Sequence, residues 1–175
     1  MRRDLKQTFF TRPTYRVAKD LLGKYLVRRV RKRVYALRIT EVEIYDGFND
    51  RGSHASHGMT QRNLPMFGEP GRFYIYLVYG MHWMLNVVTR EVGYPAAILI
   101  RGAGNIVGPA RLTSFLSINN TLNGKIAAPE SALWFEDRGE RVRNKNIMRT
   151  PRVGVSYAGT FWSTKKWRRV HFQEK

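Results

Sequence analysis

The stretch Val34-Tyr-Ala-Leu-Arg-Ile-Thr-Glu-Val-Glu-Ile-Tyr45 is rich in β-branched and aromatic residues and holds no glycine or proline, the composition of an extended strand. Successive side chains of a strand alternate between faces, so Tyr35, Leu37, Ile39, Glu41, Glu43 and Tyr45 are expected to point one way. That face opens with apolar groups and closes with two carboxylates and a phenol. Polar groups on a buried face need a reason.

Upstream, Tyr25 to Val30 reads as a partner strand, and the basic Arg31-Lys-Arg33 between the two runs suits an exposed hairpin connection. Before it, Thr11 to Gly23 predicts an amphipathic helix, with Thr11 as cap, Pro13 near the first turn, apolar spacing at Tyr15, Ala18 and Leu22, and a terminating glycine. Downstream, Asp46 to Pro70 reads mostly as loop; its length and its Gly, Asn, Asp, His and Arg content argue for function or disorder rather than packing. Phe73 to Tyr79 and Met81 to Val88 form two further strand-like runs around a tight turn at Gly80, with large side chains at its tip. Ala96 to Arg101 is an apolar run ending in a charge. Gly108 to Leu116 predicts a helix with Leu112, Phe115 and Leu116 on one face and an amino end suited to a phosphate. Ala132 to Phe135 and Pro151 to Val155 are short strand-like or apolar runs in an otherwise polar, basic second half.

The chain has 175 residues, with 31 Lys and Arg against 13 Asp and Glu, for a formal charge of +18. That length suits one domain. A hydrophobic fraction of 43% with 13% aromatic residues excludes a disordered basic tail. So large a charge on a folded body repels itself unless a polyanion is bound, which points to nucleic acid. A membrane is the weaker alternative: no apolar stretch approaches the roughly 20 residues of a spanning helix, and no leader-like apolar region follows Met1-Arg-Arg-Asp-Leu-Lys. The absence of cysteine removes disulfides, thiolate nucleophiles and cysteine-bound metals. Four histidines, with only His54 and His57 close together, match no metal-binding pattern, and neither metal nor cofactor is expected.

Sorted by chemistry, the first half supplies a plausible base, several aromatic planes and an arginine at a strand end, while the second supplies mostly charge. That inventory suits work on a nucleobase better than on a phosphodiester, which would call for clustered carboxylates holding two ions. Reaching a base in a duplex requires flipping it out and stacking it on aromatics. At this point the chain resembles the alkyladenine (3-methyladenine) DNA glycosylase family. The resemblance rests on Ile39-Thr-Glu-Val-Glu-Ile-Tyr45, Ser53-His-Ala-Ser-His-Gly-Met-Thr-Gln-Arg-Asn63, Met66-Phe-Gly-Glu-Pro-Gly71, Tyr74 to Asn86, Leu99-Ile-Arg101, Gly108-Pro-Ala-Arg-Leu112 and Arg152-Val-Gly-Val155, in the family's order.

The resemblance implies an α+β fold: a single compact domain over residues 1–175, with a mixed, mostly antiparallel sheet flanked by helices and a protruding β-hairpin that intercalates into DNA. It implies that Glu43 is the general base that activates water, with Arg101 and the backbone carbonyl of Val153 holding that water and Glu41 a supporting acid. Tyr45, His54 and Tyr76 would sandwich the extruded base, and Asn86 would crowd the exocyclic amine of guanine. Tyr79 would be the wedge entering the minor groove, with Met81 and His82 widening its footprint and Arg111 on a phosphate. Tyr76 is expected on the strand face opposite Tyr79. The implied enzyme is a monomeric, monofunctional glycosylase acting inside the cell on chromosomal double-stranded DNA, releasing 3-methyladenine, hypoxanthine or ethenoadenine. One segment departs from the family pattern: after Arg101 only Gly-Ala-Gly-Asn-Ile-Val precedes Gly108, where the family usually continues Arg-Ala-x-Glu-Pro into a longer segment. Basic residues around Arg138 to Arg152 and Lys165 to Arg169 are expected to compensate through phosphate contacts.

Overall fold

The computed structural model describes residues 2–172; Met1 and residues 173–175 of the expected 1–175 domain lie outside the described residues. The elements run β1 (Arg3–Asp4), α1 (Gln7–Phe10), α2 (Thr14–Leu21), β2 (Tyr25–Val30), β3 (Arg33–Asp46), β4 (Phe73–Val78), β5 (His82–Val88), β6 (Ala96–Ala103), β7 (Ile106–Val107), α3 (Pro109–Phe115), β8 (Leu133–Asp137), β9 (Ile147–Thr150), α4 (Thr160–Thr164) and β10 (Arg168–His171), with short 3-10 turns between. Strand order is β1-β8-β2-β3-β6-β5-β4, with β7 on β6, β10 on β3 and β9 on β10. The described pairings are antiparallel.

Strand β3 is the spine. Its first half pairs with β2 through a turn at Arg31 and Lys32, and its second half pairs with β6 on one edge and β10 on the other. Its alternation does not run unbroken. Opposite β6, two steps lead from Ile39 to Glu41 while one leads from Ala103 to Gly102, so Thr40 is a β-bulge. An extra residue in one strand turns the side chains that follow to the other face. Ile39 therefore shares the main core with Val42 and Ile44, not with Glu41 and Glu43. The expected single face from Tyr35 to Tyr45 is corrected: it is two faces joined at Thr40.

The main core lies between the sheet and the helices. Val17, Ala18 and Leu21 of α2 and Leu112 of α3, with the following Leu116, pack against Val42, Ile44, Leu85, Val87, Ile98 and Ile100. Of the positions expected to face in, Ala18 and Leu22 are buried and Tyr15 is exposed; Thr14, Val17 and Leu21 complete the buried side of α2. The helix is capped at Pro13, not Thr11, whose hydroxyl donates to the Thr8 carbonyl of the preceding short helix. On the opposite sheet face the segment between β3 and β4 folds back as two 3-10 turns, and Ala55, Met66 and Phe67 pack with Tyr74, Val88 and Ala97, flanked by Tyr45 and Tyr76. Pro151 to Val155, expected as an apolar run, is a bend that links β9 to a short turn. No described helix is long and apolar enough to cross a membrane.

Candidate active site

The bulge at Thr40 carries Glu41, Glu43 and Tyr45 to the face away from the helices. Glu43 is fully buried. Its Oε2 accepts a hydrogen bond from the Tyr45 hydroxyl (3.0 Å) and its Oε1 one from the Val153 amide (2.7 Å), with Arg101 Nε 3.5 Å from Oε1. Burial raises its carboxyl pKa above the ordinary glutamate value; Arg101, the Val153 amide and Tyr45 oppose that rise, and Glu41 adds to it. The carboxylate is therefore a stronger base than an exposed one. Burial and the Glu43 charge also push the Tyr45 phenol well above its usual pKa, so it remains a donor.

Glu41 has a different environment. A single oxygen, Oε1, receives Arg101 Nε at 2.8 Å and Arg168 Nε at 2.6 Å. Two guanidinium groups thus fix one oxygen of this buried carboxylate, whereas both hydrogen bonds to Glu43 come from neutral donors, the Tyr45 hydroxyl and the Val153 amide. The two acids that alternation alone could not separate are thus separated by their partners.

Around Glu43 lies a cavity of about 390 Å³, within the range of small-ligand sites, lined among others by Tyr45, His54, Tyr74, Tyr76, Asn86 and Tyr157. The His54 and Tyr76 rings stand edge-on with centroids 4.5 Å apart, and Tyr74 tilts against Tyr76 at 5.0 Å. His54 Nδ1 shares a 2.8 Å hydrogen bond with the Tyr74 hydroxyl, and burial followed by the charge of Arg62 lowers the imidazole pKa, which keeps the ring neutral. Asn63 holds the loop in place by donating to the carbonyls of His54 and Gly58, each at 2.9 Å. The Asn86 side chain donates to the Tyr74 carbonyl (3.0 Å) and, at longer range, to that of Met84 (3.4 Å), so its amide is immobilised in the wall.

The carboxyl-terminal bend reaches this cavity through a buried ion pair. Arg152 Nη1 and Nη2 contact Asp50 at 2.6 and 2.7 Å, Nη1 also donates to the Ile44 carbonyl, and the guanidinium lies over Tyr45 and Trp167. This clamp sets the position of the next residue, Val153, against Glu43. The contact between the two is made by the Val153 amide, which donates to Glu43 Oε1.

Between β4 and β5, Tyr79 and Gly80 both take positive φ, at 52° and 69°, and the Met81 amide closes the turn on the Val78 carbonyl. Two left-handed residues form a primed turn, the type that fits strand twist. Tyr79 is 86% exposed and yet lines the cavity mouth together with Tyr76. The expected opposite-face relation does not place it, because Tyr79 belongs to the turn and not the strand. Met81, His82 and Arg111 lie around a separate shallow hollow beside the hairpin.

Sequence reasoning thus placed Glu43, Tyr45, His54, Tyr76, Tyr79, Asn86, Arg101 and Val153, and these converge on one cavity. It missed the Asp50–Arg152 clamp, Tyr74, and Arg168 from β10. Several basic residues expected on phosphates are engaged within the fold: Arg138 pairs with Glu136, Arg152 with Asp50 and Arg168 with Glu41, while Arg169 is buried. Among the described residues, no three or more His, Asp or Glu side chains gather as a metal site would require.

The family model of methylpurine-DNA glycosylase matches residues 8–107 and 102–174. Among curated proteins, the chain is 45% identical to a "Putative 3-methyladenine DNA glycosylase" of Methanocella arvoryzae, covering 89% of this chain and 86% of that protein. Proteins with the same name are 39% identical in Streptomyces avermitilis, over 95% of this chain and 88% of theirs, and 41% identical in Anaeromyxobacter dehalogenans, over 94% and 80%. These matches span both the sheet that carries Glu43 and the bend that carries Val153, and the chain belongs to the methylpurine-DNA glycosylase family, hydrolases of N-glycosyl bonds in DNA repair.

Proposed function

We propose that this enzyme flips a damaged purine out of double-stranded DNA and hydrolyses its N-glycosidic bond, with Glu43 as the general base. The observation that carries this reading is a fully buried carboxylate of raised pKa on the floor of a cavity walled by aromatic rings. In this reading Glu43 takes a proton from a water that attacks the anomeric carbon as the base departs. Arg101 and the Val153 carbonyl orient that water, and Tyr45, His54 and Tyr76 grip the extruded base. A cationic, alkylated ring stacks well on electron-rich aromatic faces, and a neutral imidazole does not repel it. The fixed amide of Asn86 disfavours guanine.

Tyr79 acts as the wedge that fills the space of the flipped nucleotide, broadened by Met81 and His82, with Arg111 placed for a phosphate. Because the nucleophile is water and, among the described residues, no lysine lines the cavity, the product is an abasic site without strand cleavage. The chain acts as one monomeric domain, and its substrates include 3-methyladenine, hypoxanthine and 1,N6-ethenoadenine. Incubation with duplexes carrying hypoxanthine or ethenoadenine, or with methylated DNA, followed by alkali, tests this. Cleavage at the lesion only after alkali is expected. No cleavage with any of the three substrates contradicts the reading, and cleavage before alkali contradicts its monofunctional part.

A further inference from the structure

We propose that Arg168 is a positioning residue for catalysis: by sharing Glu41 Oε1 with Arg101 it fixes the Arg101 guanidinium beside Glu43 and balances the second acid of the strand. This rests on the assignment of Glu43 as the base. The segment after Arg101 is short, with six residues before Gly108. Strand β6 turns directly into β7 at Gly104 and Asn105, with Ala103 paired to Ile106, so the segment is a tight hairpin returning to α3. Arg101 itself is bulged. Gly102 pairs with Glu41 and Ile100 with Val42, which leaves Arg101 as the extra residue. The bulge frees the Arg101 side chain from the regular alternation of β6, and Glu41 braces it at 2.8 Å.

Glu41 in turn needs a second cation. Next to Glu43 and nearly buried, it would confront the base with an uncompensated charge if Arg101 alone had to serve both acids. β10 supplies the second cation. It pairs with β3 so that Arg168 lies opposite Glu43 and Val170 opposite Glu41, and the Arg168 side chain reaches across to Glu41 at 2.6 Å. The charged and titratable groups that face Glu43 are then Glu41 and Tyr45 on β3, Tyr76 on β4, Arg101 on β6 and, through Glu41, Arg168 on β10.

The test uses the full chain and a duplex with one lesion under single-turnover conditions. Arg168→Met is expected to lower the excision rate about 10- to 100-fold, as a small misplacement of a catalytic group does. It should also move the acid limb of the pH–rate profile to higher pH, because Glu41, no longer offset, opposes ionisation of Glu43. Lesion affinity and its salt dependence should stay unchanged, and Arg168→Lys should restore the limb. The competing role, a phosphate contact, predicts the reverse: an unmoved limb and a log K against log salt slope reduced by about one. That pattern overturns the proposal. Should Arg168→Met fail to fold, Glu41→Gln gives the same test with opposite sign: the limb must move to lower pH, and an unmoved limb overturns the proposal. An Arg168 result of the overturning kind, obtained while Glu43→Gln is inactive, refutes the positioning role alone; an active Glu43→Gln refutes the base assignment beneath it.

Discussion

At the residue scale, the site depends on how each carboxylate is partnered. In the proposed role Glu43 works as the carboxylate, and burial holds its pKa above the ordinary glutamate value, so excision should fall as pH drops through that raised pKa. Tyr45→Phe keeps the ring and removes the hydroxyl that donates to Glu43 at 3.0 Å. Since that bond favours the ionised carboxylate, its loss raises the Glu43 pKa further. The acid limb of excision is therefore expected to move to higher pH while the rate on the plateau changes less; a limb that moves to lower pH would show that the bond is not made to the catalytic form. The buried Asp50–Arg152 pair is of another kind. Removing one partner strands a buried charge, at a cost of about 3–5 kcal/mol. Arg152→Met is expected to lose that much in denaturant unfolding and to release Val153 from Glu43; a loss below about 1 kcal/mol would mean the pair contributes little to holding the bend.

At the scale of elements, the β4–β5 hairpin carries a tyrosine in the left-handed region at φ 52°, a conformation that costs roughly 1–2 kcal/mol for a residue with a Cβ. Tyr79→Gly relieves that strain but adds unfolded-state freedom, so stability should change by less than about 1 kcal/mol. Lesion binding and excision, by contrast, should both fall. A glycine variant with undiminished lesion affinity would remove the wedge role. The hairpin was legible in the sequence, because Gly80 between two strand-like runs permits little else, and so were β2, β3 and β6. Three features were not legible. The parity of β3 switches at Thr40 through its pairing with β6, and nothing in the sequence of β3 itself marks a bulge set by a partner strand. Tyr15 of α2 is exposed, because packing against the sheet, and not apolar character alone, decides which side of a short helix is covered. Strand β10 reads as Arg-Arg-Val-His after Lys165-Lys-Trp167, the composition of basic surface, whereas Arg168 has a buried carboxylate as its partner.

At the scale of the whole molecule, the charge of +18 divides into cations that hold the fold and cations available to DNA. Arg28, Arg101, Arg138, Arg152 and Arg168 all make hydrogen bonds or ion pairs inside the protein. The electrostatic footprint is thus smaller than the formal charge. Affinity for duplex DNA should fall with salt by about 0.9 log unit per log of salt for each phosphate neutralised. Arg111→Ala should reduce that slope by about one while leaving the chemical step intact, and an unchanged slope would take Arg111 off the phosphate. The account as a whole rests on the assignment of Glu43. Its most direct test is the single-turnover excision rate of Glu43→Gln on a lesion-containing duplex, with folding and lesion affinity measured alongside. Excision lost by a factor of about 100 or more, with affinity held within a few-fold, is the predicted result. A folded variant that still excises at close to the wild-type rate would contradict it.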